Sequence, residues 1–320
     1  QKAVELEYDK EENKPKKFIG DLMPKMLEKM KAGSQEDWLK YLQLATGALE
    51  TKEIQLFATR ADEEAMIERY GWTGQLKQVG GDVLSIVEAN IGGQKTDAVI
   101  DETVDHAVKI QDDGSVFDTV TITRKHNGQR GELFRGANNV SYLRVYVPQG
   151  SELLSASGFM TPTSSLFQAL NPDNPTDADI QRLIQDKGAA RMQPEVTVSN
   201  EFGRTAFGGW VQVGPGKEAV TTFTYRLPFT VGELAKQSLS GTDLKPNRAV
   251  YTLLLTSQSG KENRTINSHV EMPVAWKMLW NNRQAEKEGE KNVVFSGTWD
   301  RDYVMAGLFE TYAQDGVATP

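Results

Sequence analysis

The chain of 320 residues contains no cysteine and only three histidines, His106, His126 and His269. Without cysteine it has no disulfides, no thiol nucleophile and no cysteine-ligated metal site. Three scattered histidines leave little for an imidazole-rich metal centre. No apolar run approaches the roughly 20 residues that a membrane-spanning helix needs. The sequence therefore predicts a fold stabilised by its own hydrophobic core, in which no segment spans a membrane.

An excess of basic residues is also lacking. Lysine and arginine number 36 against 44 aspartates and glutamates, which gives a formal net charge of -8. Proteins that bind nucleic acid usually carry a basic face, so nucleic acid is not an expected partner. The chain begins at Gln1 without a charged and apolar leader, and we expect any targeting segment to precede it.

The first part of the chain changes character twice. Residues 1–17 are rich in lysine and glutamate and are expected to be a polar lead-in. Residues 18–91 are predicted to form an α/β section: a helical hairpin whose second helix is capped by Ser34, a buried strand at 54–58, and a short helix ended by Gly71. We expect this section to be the C-terminal part of a larger domain.

Long strands dominate from Val83 onward. The stretch Val104–Ile110 alternates apolar and polar residues, and Asp113-Gly114 then supplies a hairpin turn. Further strands follow at short intervals, interrupted by a predicted helical insertion at 161–194. The fold class predicted for the chain is mainly β: an antiparallel immunoglobulin-like β-sandwich over 92–320, preceded by the smaller α/β section.

One acidic loop is a candidate cation site. Asp173, Asn174, Asp177 and Asp179 could ligate calcium, because hard cations prefer clustered oxygen ligands. The loop lacks the spacing and the terminal glutamate of an EF-hand. Thr176 could instead cap the following helix, with Asp179 completing the capping box. No other cofactor is predicted.

Catalytic residues are not predicted. The chain contains neither a GxSxG elbow nor an HExxH helix. His106 and His269 fall in alternating strands and are expected to belong to strand faces, not to act as bases. Glu63 and Glu64 begin a short helix, where negative charge is favourable without any catalysis.

Three glycine-rich segments are interpreted as backbone features. Segments 80–82 and 90–95 lack the arrangement of a phosphate-binding loop and are predicted to be tight turns. The FGGW segment at 207–210 is predicted to be a bend or bulge that allows Trp210 to pack inward.

Several long blocks carry a family resemblance. They are KEIQLFATRADEEAMIERYGWTG, NIGGQKTDAVIDETVDHAV, NVSYLRVYVPQGSELLSASG, GRTAFGGWVQVGPGKEAVTTFTYRLPF and SGTWDRDYVMAGLF. Over most of residues 18–312 the chain resembles a bacterial envelope family known as domain of unknown function four-zero-one-two. The resemblance implies a membrane-anchored extracytoplasmic protein whose anchor and first half precede Gln1. The family-motif residues, expected to be structural, are Asn90, Gly92, Gly93, Lys95, Gly203, Arg204, Phe207 and Trp210.

The missing first half is distantly similar to the LytR-CpsA-Psr enzymes, which transfer polyprenyl-linked glycopolymers to peptidoglycan. That similarity implies that residues 18–91 complete an α/β catalytic domain whose main catalytic residues lie upstream. Arg60 is the basic residue at a strand end in this section. We interpret it as a solvated charge beside Glu63.

Three functions stay open on the sequence. The first is a noncatalytic envelope module for attachment, assembly or scaffolding, with a protein partner, a second copy or the missing half as its contact. The second is the C-terminal part of a glycopolymer transferase. The third is a carbohydrate-binding module that would use Trp276, Trp280 and Trp299.

Overall fold

The computed structural model describes residues 17–167, 195–239, 245–282, 286–288 and 292–311, together with residues 171, 173, 175, 177 and 178. The chain divides into two compact units, Gln1–Gly74 and Gln75–Pro320. In the described parts of the chain, no helix combines the length and apolar character that a membrane crossing requires.

The first unit contains three helices. They are α1 (Lys17–Lys31), α2 (Gln35–Glu50) and α3 (Ala61–Tyr70). The predicted cap of α2 is confirmed: Ser34 Oγ accepts from the Asp37 amide at 3.2 Å, and the Asp37 carboxylate accepts from the Ser34 amide at 3.0 Å. Helix α3 ends at Gly71, whose positive φ of 76° completes a left-handed C-cap.

The strand predicted at 54–58 is wrong. The segment is irregular, and its Phe57 side chain is 80% exposed. The apolar run matches the composition of a strand, but a strand also needs a neighbour for its backbone groups. Here the Leu56 amide donates to the Trp72 carbonyl at 2.9 Å, in a single contact. The described residues of this unit are therefore helical, without a strand.

The second unit is mainly β. Its strands are β1 (Asp82–Asn90), β2 (Ile100–Ile110), β3 (Ser115–His126), β4 (Asn139–Pro148), β5 (Glu152–Ser157), β6 (Val196–Glu201), β7 (Arg204–Val213), β8 (Glu218–Thr230), β9 (Arg248–Thr256), β10 (Arg264–Glu271), β11 (Lys277–Asn281), β12 (Glu286–Glu288), β13 (Asn292–Thr298) and β14 (Tyr303–Glu310). Helix α4 (Val231–Ser238) follows β8 and begins with a capping box between Thr230 and Glu233.

The strands form two seven-stranded sheets. The first sheet has the order β11-β14-β9-β1-β4-β7-β6 and the second has β12-β13-β10-β2-β3-β8-β5. Strand β1 lies in the middle of the first sheet, paired with β4 and β9. Residues 82–90 therefore belong to the sheet unit and not to the section that precedes it.

The expectation of purely antiparallel sheets is wrong. One pair in each sheet is parallel, β1 with β9 and β2 with β10. Alternating polarity reveals which face of a strand is buried, but it is the same for either strand direction. Direction is fixed by short hairpins, and these two pairs join strands that lie far apart in the chain.

The two sheets share one hydrophobic core. It includes Leu84 of β1, Val104 of β2, Val120 of β3 and Phe207 of β7. In β2 buried and more exposed positions alternate along the whole strand, as predicted. Some of the buried inward positions carry charged or polar side chains, however, and these define the interior polar clusters.

The insertion predicted at 161–194 is described only in part. A short 3-10 helix spans Ser164–Leu166. The predicted helix at 180–185 lies outside the described residues.

Candidate functional site

Three buried ligand-type side chains meet in the interior of the sheet unit. Asp82 of β1, His106 of β2 and Asp118 of β3, here called the aspartate–histidine cluster, are 0%, 1% and 0% exposed. One ligand atom from each lies within 4.8 Å of the others. Because Asp82 belongs to the first sheet and the other two to the second, the cluster bridges the two sheets.

Strand register places these side chains together. In the β2–β3 ladder His106 is opposite Val120, and Asp118 is opposite Val108. The two side chains are therefore diagonal neighbours on the same face. His106 Nε2 lies 3.7 Å from Asp118 Oδ2, which is longer than a hydrogen bond.

Two members of the cluster are held by hydrogen bonds from outside it. His106 Nδ1 lies 3.0 Å from Ser268 Oγ. The Asp82 carboxylate accepts from the Tyr251 hydroxyl at 2.6 Å and from the Val83 amide at 2.7 Å. These contacts fix the plane of the imidazole ring and the orientation of one carboxylate.

The atoms that face the centre of the cluster have no such partners. His106 Nε2 and both carboxylate oxygens of Asp118 are buried without a well-formed hydrogen bond, and the buried Tyr225 hydroxyl interacts with Asp118 but also lacks good hydrogen-bond geometry. Each buried polar atom left in this way costs about 1–3 kcal/mol. These atoms belong to three neighbouring strands of one sheet, β2, β3 and β8. The missing hydrogen bonds are therefore concentrated in one region of the interior.

Burial sets the protonation of the cluster. It raises the pKa of Asp118 to about 7. Burial and the Asp118 charge raise the pKa of Asp82 well above its ordinary value. Burial also lowers the pKa of His106, so its imidazole is neutral at physiological pH. Such a site can hold a proton or a cation between its carboxylates.

A second polar cluster, the ion cluster, draws on β1, β2 and β3, on β10 and on the segment that precedes β10. It consists of Glu88, Glu102, Arg124, Lys261 and Arg264. Both Glu88 oxygens are engaged: Arg264 Nη2 donates to one at 3.1 Å, and Arg124 Nη2 donates to the other at 2.9 Å. Lys261 Nζ also donates to Glu88, at 2.9 Å. Two carboxylates thus face three cationic side chains.

The surroundings of the ion cluster supply further hydrogen bonds, although Glu102 Oε2 and Arg124 Nε have no hydrogen-bond partner. Arg264 donates to the Ile86 carbonyl at 3.0 Å, and its guanidinium lies 5.2 Å from the centre of the Trp299 ring. Arg124 donates to Asn139 at 3.1 Å. Burial alone would raise the pKa of Glu88, but the charges of Arg124, Lys261 and Arg264 hold it well below its usual range. This arrangement is typical of a structural ion network.

A shallow recess lies on the outer face of the first sheet, where β4, β6 and β7 are adjacent. Its polar side chains contact one another: Tyr142 and Thr197 hydroxyls are 2.9 Å apart, and Arg144 Nε lies 3.6 Å from Glu201. The Arg144 guanidinium also stacks over the Tyr142 ring, at 4.8 Å. The polar side chains that line the recess therefore interact with one another.

The predicted calcium loop is described only in part. Asp173 and Asp177 are described, whereas Asn174 and Asp179 lie outside the described residues. The Asp173 amide donates to Asn171 Oδ1 at 3.0 Å, as in a local turn. The calcium site stays a prediction.

The first group of family-motif residues forms a turn after β1. Asn90 Oδ1 accepts from the Gly93 amide at 2.9 Å. Gly92 has a φ of 93°, and a Cβ on Gly93 would lie 2.3 Å from the same Asn90 oxygen. The Lys95 amide donates to the Phe134 carbonyl at 3.0 Å. The predicted tight turn at 90–95 is confirmed.

The second group surrounds the β6–β7 turn. Gly203 has a φ of 70°, and the neighbouring Phe202 also has a positive φ, of 54°. Arg204 is buried, and its guanidinium donates to the Lys77 carbonyl. Phe207 lies in the core. These contacts support the structural role expected for the group.

The predicted bulge at 207–210 is wrong. The β4–β7 ladder runs through this segment in regular register. Phe207 and Trp210 have opposite parity and face opposite sides of the sheet. Trp210 packs edge-on against Tyr142, at 5.1 Å. The glycines are needed for space, because a Cβ on Gly208 would lie 2.7 Å from the Tyr142 hydroxyl.

The remaining predicted residues occupy ordinary structural positions. Arg60 is exposed and pairs with Asp62 at 2.7 Å and Glu63 at 3.2 Å, which confirms a solvated charge. Glu64 accepts from the Ala58 amide at 2.7 Å near the start of α3. His269 is half-buried on β10.

The tryptophans proposed for carbohydrate binding do not form one surface. Trp276 and Trp299 are buried in the core, whereas Trp280 is exposed. Carbohydrates stack on exposed aromatic faces. The prediction that these three tryptophans together bind carbohydrate is therefore wrong.

Sequence reasoning missed Asp82 and Asp118 and placed His106 only on a strand face. A signal was present for Asp118, because it takes an inward position in the alternation with Val116 and Val120. A charged residue at such a position is a marker of a buried polar site.

Comparison with known proteins adds little. No protein-family model matches the chain, and no curated protein matches it. A solved structure from Legionella pneumophila, described as a candidate nutrient-binding protein, aligns over 72% of this chain and 71% of its own, with 8% identity and a TM-score of 0.33. An M1 zinc metallopeptidase from Deinococcus radiodurans aligns over 66% of this chain and 42% of its own, with 10% identity and a TM-score of 0.26. At these TM-scores neither structure indicates a function for this chain.

Proposed function

We propose that this chain is a noncatalytic module of a bacterial extracytoplasmic cell-envelope protein, which mediates attachment, assembly or scaffolding by binding another protein surface. The observation that carries the proposal is the exposed apolar surface of the helical unit. The family resemblance of the sequence blocks supports the location.

Helix α1 presents an apolar stripe. Five of its apolar side chains are between 42% and 55% exposed: Ile19, Leu22, Met23, Met26 and Leu27. Their spacing of three and four residues places them on one side of the helix. A stripe of this kind is normally buried against another element.

Helix α2 extends this surface. Trp38, Leu39, Leu42 and Leu44 are between 49% and 71% exposed, and neither α2 nor α3 contains a buried residue. Contiguous exposed apolar surface on a soluble unit is typical of a protein-binding site. The occupant we propose is a complementary apolar surface of another envelope protein.

The sheet unit is a compact unit of its own. We propose that it is an immunoglobulin-like sandwich, which the single core shared by its two sheets supports. The ion cluster adds long-range links inside that core, since Glu88 contacts residues of β3 and β10.

The test is cross-linking on intact cells of the source bacterium with a membrane-impermeant, lysine-reactive reagent. Lys25, Lys29 and Lys40 lie on α1 and α2 and would report the docking surface. We expect the chain to be labelled before lysis and to be cross-linked to a protein through these lysines. Labelling only after lysis would contradict an extracytoplasmic location.

Matched variants test the docking surface itself. Met26→Asp and Leu42→Asp should abolish the cross-links, because a charge is costly in an apolar interface. Leu133→Asp, at an exposed apolar position between β3 and β4, should leave them unchanged. Equal cross-linking in all three variants would exclude the helices as the binding surface.

A further inference from the structure

We propose that Asp82, His106 and Asp118 bind a structural divalent transition-metal ion that joins the two sheets. Three ligands from three strands meet in the interior, and three of their buried atoms, His106 Nε2 and both Asp118 oxygens, have no well-formed hydrogen bond. A metal ion would bind His106 Nε2 and one Asp118 oxygen, and the Tyr225 hydroxyl would bond the other oxygen.

The spacing of the ligand atoms suits such an ion. Zinc–nitrogen and zinc–oxygen bonds are roughly 2.0–2.2 Å, so two ligand atoms separated by 3.7 Å, as His106 Nε2 and Asp118 Oδ2 are, enclose an angle of about 120° at the ion. The ligand atoms of all three residues lie within 4.8 Å of one another. Carboxylate shifts of less than about 1 Å would close the set to bonding distance.

The groups around the ligands are those that a metal site needs. Ser268 Oγ lies 3.0 Å from His106 Nδ1; with the proton on Nδ1 donated to Ser268, the lone pair of Nε2 points to the cluster. Tyr251 and the Val83 amide orient the Asp82 carboxylate. The Tyr225 hydroxyl, close to Asp118, is available to bond the outer carboxylate oxygen.

The charge also balances. Two carboxylates, a neutral imidazole and a divalent cation sum to zero, which removes the cost of burying uncompensated carboxylates. Calcium and magnesium prefer all-oxygen ligands, whereas an imidazole nitrogen with carboxylates suits zinc and its first-row neighbours. Zinc and cobalt(II) are therefore the probes.

The experiment loads the metal during folding, because the ligands are sealed from solvent. The full chain is unfolded in urea with a chelator, refolded with Zn²⁺ or Co²⁺, and freed of unbound metal by gel filtration. We expect about one metal per chain by elemental analysis, a visible absorption band for bound Co²⁺, and a higher melting temperature than that of protein refolded without metal.

Variants distinguish this site from incidental binding. Asp118→Asn and His106→Asn should lose the metal and the gain in melting temperature. His269→Asn, a half-buried histidine outside the cluster, should keep both. Ser268→Ala retains all three ligands and should weaken zinc binding about 10- to 100-fold.

Two results would overturn the proposal. One is wild-type protein that refolds but retains neither metal, a result that stands even when a variant fails to fold. The other is Asp118→Asn binding metal as well as the wild type does. The cluster would then hold only protons, and Asp118→Asn, neutral and of the same size, would melt at the same or a higher temperature.

Discussion

The ion cluster and the aspartate–histidine cluster are built on the same strands but balance their charges differently. Strand β1 supplies Glu88 to one and Asp82 to the other, and β3 supplies Arg124 and Asp118. Each of these pairs is separated by six residues, so both members face the same interior. The two clusters therefore share β1, β2 and β3, and the ion cluster gains Arg264 of β10 and Lys261 in addition.

The difference lies in the source of positive charge. In the ion cluster, arginine and lysine side chains approach the carboxylates within 3.6 Å. The aspartate–histidine cluster has a neutral imidazole and hydroxyls next to its carboxylates, and the buried Arg204 interacts electrostatically with Asp82. The first cluster compensates its carboxylates with its own cations, although Glu102 Oε2 and Arg124 Nε, 3.3 Å apart, make no hydrogen bond; the second cluster needs protons or a metal ion.

The largest effect is expected from breaking the ion cluster. Glu102→Gln removes one of its two carboxylates and leaves three buried cations with Glu88 alone. We expect the free energy of unfolding to fall by about 3–5 kcal/mol. Urea denaturation followed by tryptophan fluorescence would measure it, and an unchanged midpoint would show that the network contributes nothing to stability.

Acid should unfold the protein partly through the same cluster. The pKa of Glu88 is lower in the folded state than in the unfolded chain because of Arg124, Lys261, Arg264 and a hydrogen bond with Glu102, despite its burial. Its contribution is therefore present above the unfolded-state pKa of about 4.3 and is lost as pH falls through the folded-state pKa.

Glu88→Gln tests this contribution. The variant should be less stable than the wild type at pH 7, and its unfolding free energy should decline less steeply below about pH 4.5. Denaturation curves from pH 7 to pH 3 give both slopes. Identical slopes would contradict the lowered pKa.

Smaller changes in stability are expected for the two tyrosines that lie beside the aspartate–histidine cluster, Tyr251 and Tyr225. Tyr251→Phe removes the 2.6 Å hydrogen bond to Asp82 and should cost about 1–3 kcal/mol. Tyr225→Phe removes a buried hydroxyl that interacts with Asp118 without a well-formed hydrogen bond, so in metal-free protein it should cost less than Tyr251→Phe or stabilise slightly. Calorimetric melting of both variants would check the ranking, and the reverse order would contradict the hydrogen-bond assignment.

The smallest effect is expected at the surface. Glu152→Gln breaks the exposed Arg226–Glu152 pair, whose atoms lie 2.8 Å apart. Exposed pairs contribute about 0–1 kcal/mol because water screens them. If Glu152→Gln lowered the free energy of unfolding as much as Glu102→Gln does, then burial would not be what makes the ion cluster more stabilising than a surface ion pair.

Local features of the fold could be predicted from the sequence. Ser34 caps a helix and Gly71 ends one because both roles depend on residues three or four positions away. The alternation along Val104–Ile110 places His106 on the same face as Val104 and Val108, and this also depends only on residues two positions away. The strand at 54–58 failed because pairing depends on a distant neighbour that composition does not reveal.

The sequence by itself determined the β-rich character of the second unit, its turns and the inward or outward direction of most strand residues, because these follow from patterns a few residues long. Only the tertiary structure decided the parallel pairs and the meeting of Asp82 with His106 and Asp118. Those depend on which distant strands become neighbours and in which register. A shift of one residue would turn each of these side chains to the opposite face.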